Sequence, residues 1–75
     1  MRDKGINRRK AACRYVTELR LRYRHLRKLH GLTQAQLGEL IGVDQATISN
    51  FESGRTVMSI TQAYEIAMIF DVELA

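Results

Sequence analysis

The sequence predicts an all-α fold, a compact bundle of short helices, and three observations lead to this prediction. Apolar residues recur at spacings of three and four, the period of a helix, and no stretch alternates polar and apolar residues as a half-buried strand does. Glycines separate the periodic segments, and short polar residues suited to capping stand before three of them. The chain has no proline, and its 75 residues are enough for one small domain.

The first predicted helix ends near Leu29, just before Gly31, which is a natural C-terminal stop. One of its faces carries apolar residues at alternating spacings of four and three, as a helix packed on a core does. This apolar stripe consists of Ala12, Val16, Leu19, Tyr23 and Leu26. We expect it to be the buried face.

The charge pattern sets the expected start of this helix. Asn7 could cap it, but Arg8, Arg9 and Lys10 would then lie at the positive end of the helix dipole, where cations are unfavourable. Residues 1–10 are therefore predicted to be a flexible basic arm. The remainder of the chain, residues 11–75, is predicted to be the folded domain.

The second and third helices are predicted to form a helix-turn-helix over residues 34–53. Thr33 and Gln36 make a capping box for the second helix, and Asp44 caps the third. The three-residue turn between them begins with Gly42, which permits a left-handed backbone conformation. The residues of the two helices expected to be buried are Leu37, Leu40, Ile41, Ile48 and Phe51.

Two further features complete the predicted bundle. Gly38 lies in the middle of the second helix, where a side chain would block the approach of the third. A fourth helix begins after Ser59, which is suited to cap it. Its residues expected to be buried are Ile60, Ala63, Ile66, Ala67 and Phe70.

Positive charge is concentrated in the first part of the chain. Residues 1–30 contain eleven Lys and Arg and two acids, whereas residues 31–75 contain one Arg and six acids. A basic half of this kind favours a polyanionic partner, nucleic acid first and an anionic membrane surface second. A solvated basic helix with a flexible start would have the same composition.

Several classes of protein and site have no support in the sequence. Cys13 is the single cysteine, so no intrachain disulfide is possible and a reducing cytosol is the expected compartment. No apolar run is long enough to span a membrane, and no secretory signal is expected. His25, His30 and Cys13 lack metal-ligand spacing, so we expect neither a metal nor another cofactor. No set of acid, base and nucleophile indicates an enzyme.

Two segments of the motif match a known pattern at several positions at once. Residues 31–43 read GLTQAQLGELIGV, residues 48–55 read ISNFESGR, and Arg27 stands in the helix before them. They closely resemble the Cro and phage-repressor (XRE-type) helix-turn-helix family, and the resemblance extends over roughly residues 16–74. It implies a λ-repressor-like DNA-binding domain of four to five short helices, whose third helix enters the major groove.

The resemblance also implies roles for individual residues. A structural ion pair would join Arg27 of the first helix to Glu52 of the third. The residues that it places on DNA phosphates are Gln34, Ser53 and Arg55. The residues that it places against bases are Gln45, Ala46, Ser49 and Asn50.

The residue types of the third helix agree with a base-reading role. If Ile48 faces the core, the helical period places Ala46, Ser49 and Asn50 on the opposite side, with Gln45 at the edge. These side chains are short and uncharged, whereas a solvated helix face normally carries Lys and Glu. An amide can bond adenine at two atoms, and an alanine methyl can contact the methyl group of thymine.

The DNA contacts of the arm and the mode of assembly are further expectations. The arm should contribute phosphate or groove contacts through Arg8, Arg9 and Lys10. The loop at residues 56–59 lacks a proline that is frequent in the family, and residues 72–75 leave room only for the start of a fifth helix. Because the fifth helix builds the dimer in many members, dimerisation is left open between a truncated fifth helix and another surface.

The expected function is that of a sequence-specific regulator of transcription that binds double-stranded DNA, either a repressor or the antitoxin of a toxin–antitoxin pair. The expected partners are a near-palindromic operator bound by a homodimer, and a toxin, with no membrane partner. The expected location is the cytoplasm, at the nucleoid. The alternative is a protein-interaction or RNA-associated module that reuses the fold without reading a sequence, as bridging coactivators do. A basic helix bound to a membrane or to an acidic protein is a third hypothesis.

Overall fold

Four helices make up the part of the chain that the structure, a computed structural model, describes. This part covers residues 4–73, with side chains from residue 7 onward. The helices are α1 (Lys4–Leu29), α2 (Gln34–Ile41), α3 (Gln45–Ser53) and α4 (Ile60–Ile69). No strand occurs among these residues. The all-α prediction is confirmed, with four helices in the described part of the chain.

Helix α1 begins earlier than the sequence predicted. Residues 4–10 belong to the same continuous helix as the rest of α1, so no break separates an arm from the domain at residue 10. Residues 1–3 lie outside the described part of the chain. Because the helix begins at Lys4, Arg8, Arg9 and Lys10 lie beyond its first turn, and the dipole effect on charges falls off within that turn. The penalty on an exposed cation is in any case only about 0.3–1 kcal/mol and is screened by salt. The charge argument for a later start therefore does not apply.

The apolar stripe of α1 is buried only where the other helices reach it. Tyr23 is buried and its hydroxyl donates a 2.8 Å hydrogen bond to the backbone oxygen of Ala63 in α4. Leu19 and Leu26 are half-buried against the core, but Ala12 is exposed, so its predicted burial is wrong. The 26 residues of α1 extend for about 39 Å, since each residue adds about 1.5 Å. The longest dimension of the molecule is 47 Å against 23 and 19 Å, so the first turns of α1 project beyond the bundle.

The predicted caps position the three shorter helices. Thr33 and Gln36 form the capping box of α2, each side chain bonding the other residue's backbone N–H. The side chains of Asp44 and Ser59 accept hydrogen bonds from the third backbone N–H of α3 and α4 respectively. Gly42 ends α2 in the left-handed conformation, with φ of 76°.

The core joins all four helices. Its buried apolar residues, among those described, are Tyr23, Leu37, Ile48, Phe51, Ala63, Ile66, Ala67 and Phe70. Leu40 and Ile60, both predicted to be buried, are exposed by 57% and 73%. Leu40 lies one turn from Leu37 but on the opposite side of α2 from Gly38, and it is at Gly38 that the turn into α3 approaches the helix. Ile60 is the first residue of α4 and precedes the turn that contacts the core.

Gly38 is the point of closest approach in the helix-turn-helix. A Cβ atom built at this residue would lie 2.6 Å from the backbone oxygen of Val43 and 3.2 Å from that of Asp44. The Val43 N–H donates a 2.8 Å hydrogen bond to the Gly38 oxygen, so the turn folds directly back on this residue. The prediction was that a side chain here would block the approach of the third helix, and the atoms that it would meet belong to the turn and N-cap residue that lead into α3.

Gly38→Ala should therefore destabilise the protein, although alanine is the better helix former by about 1 kcal/mol. The obstructing atoms are backbone, so the turn itself must shift, and we expect a loss of about 1–3 kcal/mol in the free energy of unfolding. Urea unfolding followed by circular dichroism measures it. A variant as stable as the wild type would contradict the close approach.

Candidate nucleic-acid interface

One face of α3 is turned away from the core. Gln45 and Ala46 are exposed, and Ser49 and Asn50 are half-buried, whereas Ile48 and Phe51 are buried on the other side. The helix contains one ionisable residue, Glu52, and that residue is buried. The outward face of α3 therefore offers hydroxyl and amide groups without formal charge. These four residues are the ones for which base contacts were predicted, and the contacts themselves stay a prediction.

The turn and the caps hold the start of α3 in a defined position. Asp44 Oδ1 accepts hydrogen bonds from Thr47 Oγ1 at 2.8 Å and from Thr47 N at 2.9 Å. These hydrogen bonds, the side-chain bond first, lower the pKa of the exposed Asp44 carboxyl below its ordinary value. The carboxylate therefore stays ionised at neutral pH, where it also interacts favourably with the positive end of the helix dipole.

The predicted ion pair between Arg27 and Glu52 is present and buried. Arg27 Nε donates to Glu52 Oε2 at 2.6 Å, and Arg27 Nη2 donates to Glu52 Oε1 at 3.0 Å. Arg27 Nη1 donates to the backbone oxygen of Leu32 at 2.7 Å. One guanidinium thus holds the carboxylate of α3 at two points and also fixes the loop before α2. Such a two-point pair is short, strong and directional.

Gln34, for which the resemblance implies a phosphate contact, is bonded to other side chains of the protein. Its Nε2 donates to Glu52 Oε1 at 3.0 Å, and the side chain is half-buried. Its Oε1 lies 3.5 Å from Gln45 Nε2, at the long limit of a hydrogen bond. A chain of side-chain contacts therefore runs from the buried ion pair through Gln34 to the first residue of α3. The sequence pattern gave no sign of this connection.

The local surroundings determine the ionisation of Glu52. Burial raises the pKa of the Glu52 carboxyl, but hydrogen bonds from Arg27 and Gln34 and the charges of Arg27 and Arg24 lower it by more. The net effect is a pKa below the ordinary value, so Glu52 is a carboxylate at neutral pH. The pair is therefore ionic over the physiological range of pH.

Two of the residues predicted to contact phosphates, Ser53 and Arg55, lie at the end of α3. Gly54 closes the helix at φ of 84°, and the Arg55 N–H donates to the Asn50 oxygen at 2.9 Å. Ser53 and Arg55 are both exposed, and Ser53 Oγ donates to the Asn50 oxygen at 3.2 Å. Arg8, Arg9 and Lys10 are exposed as well, but they lie on the projecting turns of α1.

Two arginines that the sequence analysis left unassigned lie beside α3. Arg20 Nη1 donates to the backbone oxygen of Glu52 at 3.0 Å, and Arg24 Nε lies 3.9 Å from Glu52 Oε1. Together with Arg27 they follow a spacing of four and three on one face of α1. That spacing was visible in the sequence, but it predicts a contact with α3 only once Arg27 is paired with Glu52.

The described residues show neither a metal centre nor a membrane segment. Among residues 4–73, no three His, Cys, Asp or Glu side chains lie close enough to hold a metal ion. No helix of that part is both long and apolar enough to cross a bilayer.

The fold and this site define an all-helical domain whose helix-turn-helix exposes an uncharged, hydrogen-bonding face. A family model described as helix-turn-helix matches residues 24–75. The chain belongs to this helix-turn-helix family. The matched region begins in the second half of α1 and includes α2, α3 and α4.

Several known proteins are similar to this chain. An uncharacterized HTH-type transcriptional regulator of Archaeoglobus fulgidus is 36% identical over 56 residues, which are 75% of this chain and 80% of that protein. The antitoxin HipB of Escherichia coli K12 is 33% identical over 58 residues, 77% of this chain and 66% of that protein. An HTH-type transcriptional regulatory protein of Thermococcus kodakarensis is 36% identical over 52 residues; these are 69% of this chain and only 16% of that protein's length. No solved structure gives a significant match.

Glu52→Ala should cost about 3 kcal/mol of unfolding free energy, because it leaves the buried guanidinium of Arg27 without its carboxylate. Chemical denaturation of the DNA-free protein measures the loss. Glu39→Ala is the matched control, since it removes a carboxylate from an exposed position of α2 and should change stability by less than about 0.5 kcal/mol. Equal stability of the two variants would show that the ion pair has no structural role.

The lowered pKa of Glu52 also predicts a pH dependence of stability. Its contribution should be fully present above the unfolded-state value of 4.5 and should be lost as the pH falls through the lower folded-state pKa. In that range the unfolded chain binds more protons than the folded one, so stability rises with pH. Glu52→Gln should therefore be less stable near neutrality yet lose less stability between neutral pH and acid. Asp44→Asn measures the separate contribution of the other lowered carboxyl, and an acid profile unchanged by Glu52→Gln would contradict the assignment.

Proposed function

We propose that the protein is a sequence-specific regulator of transcription that binds double-stranded DNA and reads the major groove with α3. The observation that carries the proposal is the outward face of α3, which is uncharged, rich in hydrogen-bonding groups and tied to a buried ion pair. Membership of the helix-turn-helix family and the basic first part of the chain support it. The docking of α3 follows from the way in which such motifs use their second helix.

The proposed base contacts follow from the chemistry of the exposed side chains. The side-chain amides of Gln45 and Asn50 can each accept a hydrogen bond from adenine N6 and donate one to adenine N7. Ser49 can donate to or accept from a base edge, and Ala46 can contact a thymine methyl group. The residues that would position the protein on phosphates are Ser53, Arg55 and, if its amide turns from Glu52 to the DNA, Gln34.

The proposed assembly is a homodimer on a near-palindromic operator. A single α3 reads only a few base pairs, so specificity in a genome requires a second copy. Two copies would occupy half-sites about 34 Å apart, one turn of the double helix. The exposed cations Arg8, Arg9 and Lys10 would add phosphate contacts outside the half-site.

The similarity to the antitoxin HipB supports a more specific form of the proposal, in which the regulator is an antitoxin with a toxin as its protein partner. A repressor without such a partner is equally compatible with the relatives that are named as transcriptional regulators. Either protein would act in the cytoplasm, at the nucleoid. Isolation of the chain with the proteins bound to it, followed by mass spectrometry, separates the two forms.

Selection of bound duplexes from a random pool tests the proposed function directly. It returns the preferred sequence and the half-site spacing together, and binding to the selected and scrambled duplexes is then compared over a series of salt concentrations. We expect the selected site to bind about a thousandfold more tightly or better. A ratio near one at every salt concentration would favour the alternative of an interaction or RNA-associated module that reads no sequence.

Gln45→Ala should reduce affinity for the selected site by about 1–3 kcal/mol and relax the preference at one base-pair position. Gln34→Ala should weaken binding to all duplexes alike, and it should also lower stability because it removes a hydrogen bond from Glu52. A binding matrix of wild type and both variants against single-base changes of the site measures the difference. If Gln45→Ala loses affinity uniformly, Gln45 does not read a base.

A further inference from the structure

A cleft between α1 and α3 opens beside the face of α3 proposed to read bases. Its polar lining residues are Arg20, Arg24, Gln34, Ser49, Glu52 and Ser53. Ser49 and Ser53 belong both to this α1–α3 cleft and to the outward part of α3. A DNA duplex that contacts α3 would therefore have part of its backbone at the cleft.

The cleft carries an excess of positive charge. Arg27 already forms two hydrogen bonds with the carboxylate of Glu52, the one acidic residue among the described residues that line the cleft. Arg20 and Arg24 bring two further cations to the same place. Three guanidinium groups thus lie around Glu52, two near its carboxylate and that of Arg20 at its backbone oxygen, and an anion would relieve the repulsion among them.

Both additional arginines lie where an anion could reach them, Arg20 fixed by a hydrogen bond and Arg24 not. Arg20 is fixed by its 3.0 Å hydrogen bond to the backbone oxygen of Glu52. It also lies close to Gly54, where an added Cβ atom would be 3.1 Å from Arg20 Nε. The hydrogen bond uses one of the five N–H groups of the guanidinium. The side chain of Arg24 is 50% exposed, and its 3.9 Å separation from Glu52 is too long for a hydrogen bond. Arg24 therefore has the freedom to turn toward a ligand.

The geometry points to the α1–α3 cleft as the seat of one DNA backbone phosphate, bound by Arg24 with Arg20 as the neighbouring cation. The inference rests on the proposed function, because it takes α3 to lie in the major groove. Arginine suits this role, since its planar guanidinium can bond two phosphate oxygens at once. Glu52 then has a second role, because its carboxylate and backbone oxygen keep together three arginines that would otherwise repel one another.

A pair of charge-matched variants tests the inference. Arg24→Gln removes the cation from the cleft, whereas Arg22→Gln removes an equal charge from the opposite side of α1, where Arg22 lies with Tyr15, Glu18 and Leu19. We expect Arg24→Gln to weaken binding to selected and scrambled duplexes alike by roughly tenfold, the range of a hydrogen bond to a charged group. The slope of log affinity against log salt should become shallower by about 0.9, the value for one phosphate. Arg22→Gln should have a smaller effect on both.

Neutral methylphosphonate linkages identify the phosphate itself. Each phosphate of the selected duplex is replaced in turn, and binding by the wild type and by Arg24→Gln is measured. At one position in each half-site the replacement should weaken the wild type but leave Arg24→Gln unchanged, because the contact is already lost. If every replacement weakens both proteins by the same factor, Arg24 binds no particular phosphate and the inference is wrong.

Two controls are needed. One distinguishes failure of the phosphate seat from failure of the proposed function, and the other distinguishes a DNA phosphate seat from a site for free anions. If the wild type prefers no sequence, the proposed function fails; if it does prefer one and Arg24→Gln behaves as Arg22→Gln, only the phosphate seat fails. Inorganic phosphate, titrated against the DNA-free protein and followed by NMR of the arginine side chains, provides the other control. Binding should be weak compared with the duplex, and inorganic phosphate that binds as tightly as DNA would make the cleft a site for a free anion.

Discussion

The position of α3 depends on the ion pair between Arg27 and Glu52. In the described part of the chain, the core has eight buried apolar residues, two of them on α3, and apolar contacts have no strong directional preference. The guanidinium of Arg27 instead holds the Glu52 carboxylate at two points, and its third nitrogen bonds the loop before α2. The directional bonds of the pair therefore set the rotation of α3 about its own axis, and with it the residues turned to solvent.

Charge burial of this kind is a costly way to gain stability, because the desolvation of both ions offsets most of their attraction. Well-packed apolar residues could hold α1 and α3 together as strongly. Apolar residues would not hold Gln34 against the Glu52 carboxylate, nor Gln34 against Gln45. These two contacts connect the ion pair to the proposed base-reading face of α3. We infer that the pair serves orientation more than stability. A base-reading helix needs a fixed orientation, because a small rotation of the helix would move each of its side chains relative to the base edges.

Local signals in the sequence predicted most of the fold, and the errors arise where burial depends on distant elements. Thr33, Asp44 and Gly42 act through bonds to residues three or four positions away, so their roles could be identified from the sequence. The burial of Ala12 depends on how far the other helices extend along α1, and that of Leu40 on which side of α2 packs against the rest of the bundle. The periodicity of apolar residues carries no information about either. The role of Arg27 came from a family resemblance, whereas the contacts of Gln34 with Glu52 join residues eighteen positions apart and required the structure.

The proposed function requires both affinity for DNA and specificity for a sequence, and the charge is distributed unevenly between the residues proposed for each. Affinity for DNA comes largely from phosphate contacts, which depend on salt and not on sequence, whereas specificity comes from hydrogen bonds to base edges. Helix α3 contains a single ionisable residue, and Arg27 neutralises it, so the proposed base-reading face contributes little to the long-range field. Of the cations in the described part of the chain, all but Arg55 lie on α1, among them those at its projecting end and along the α1–α3 cleft. Because most of the positive charge is on α1 and the proposed base-reading residues are on α3, a change at one of those residues can alter which sequence is bound while most of the attraction to DNA is kept.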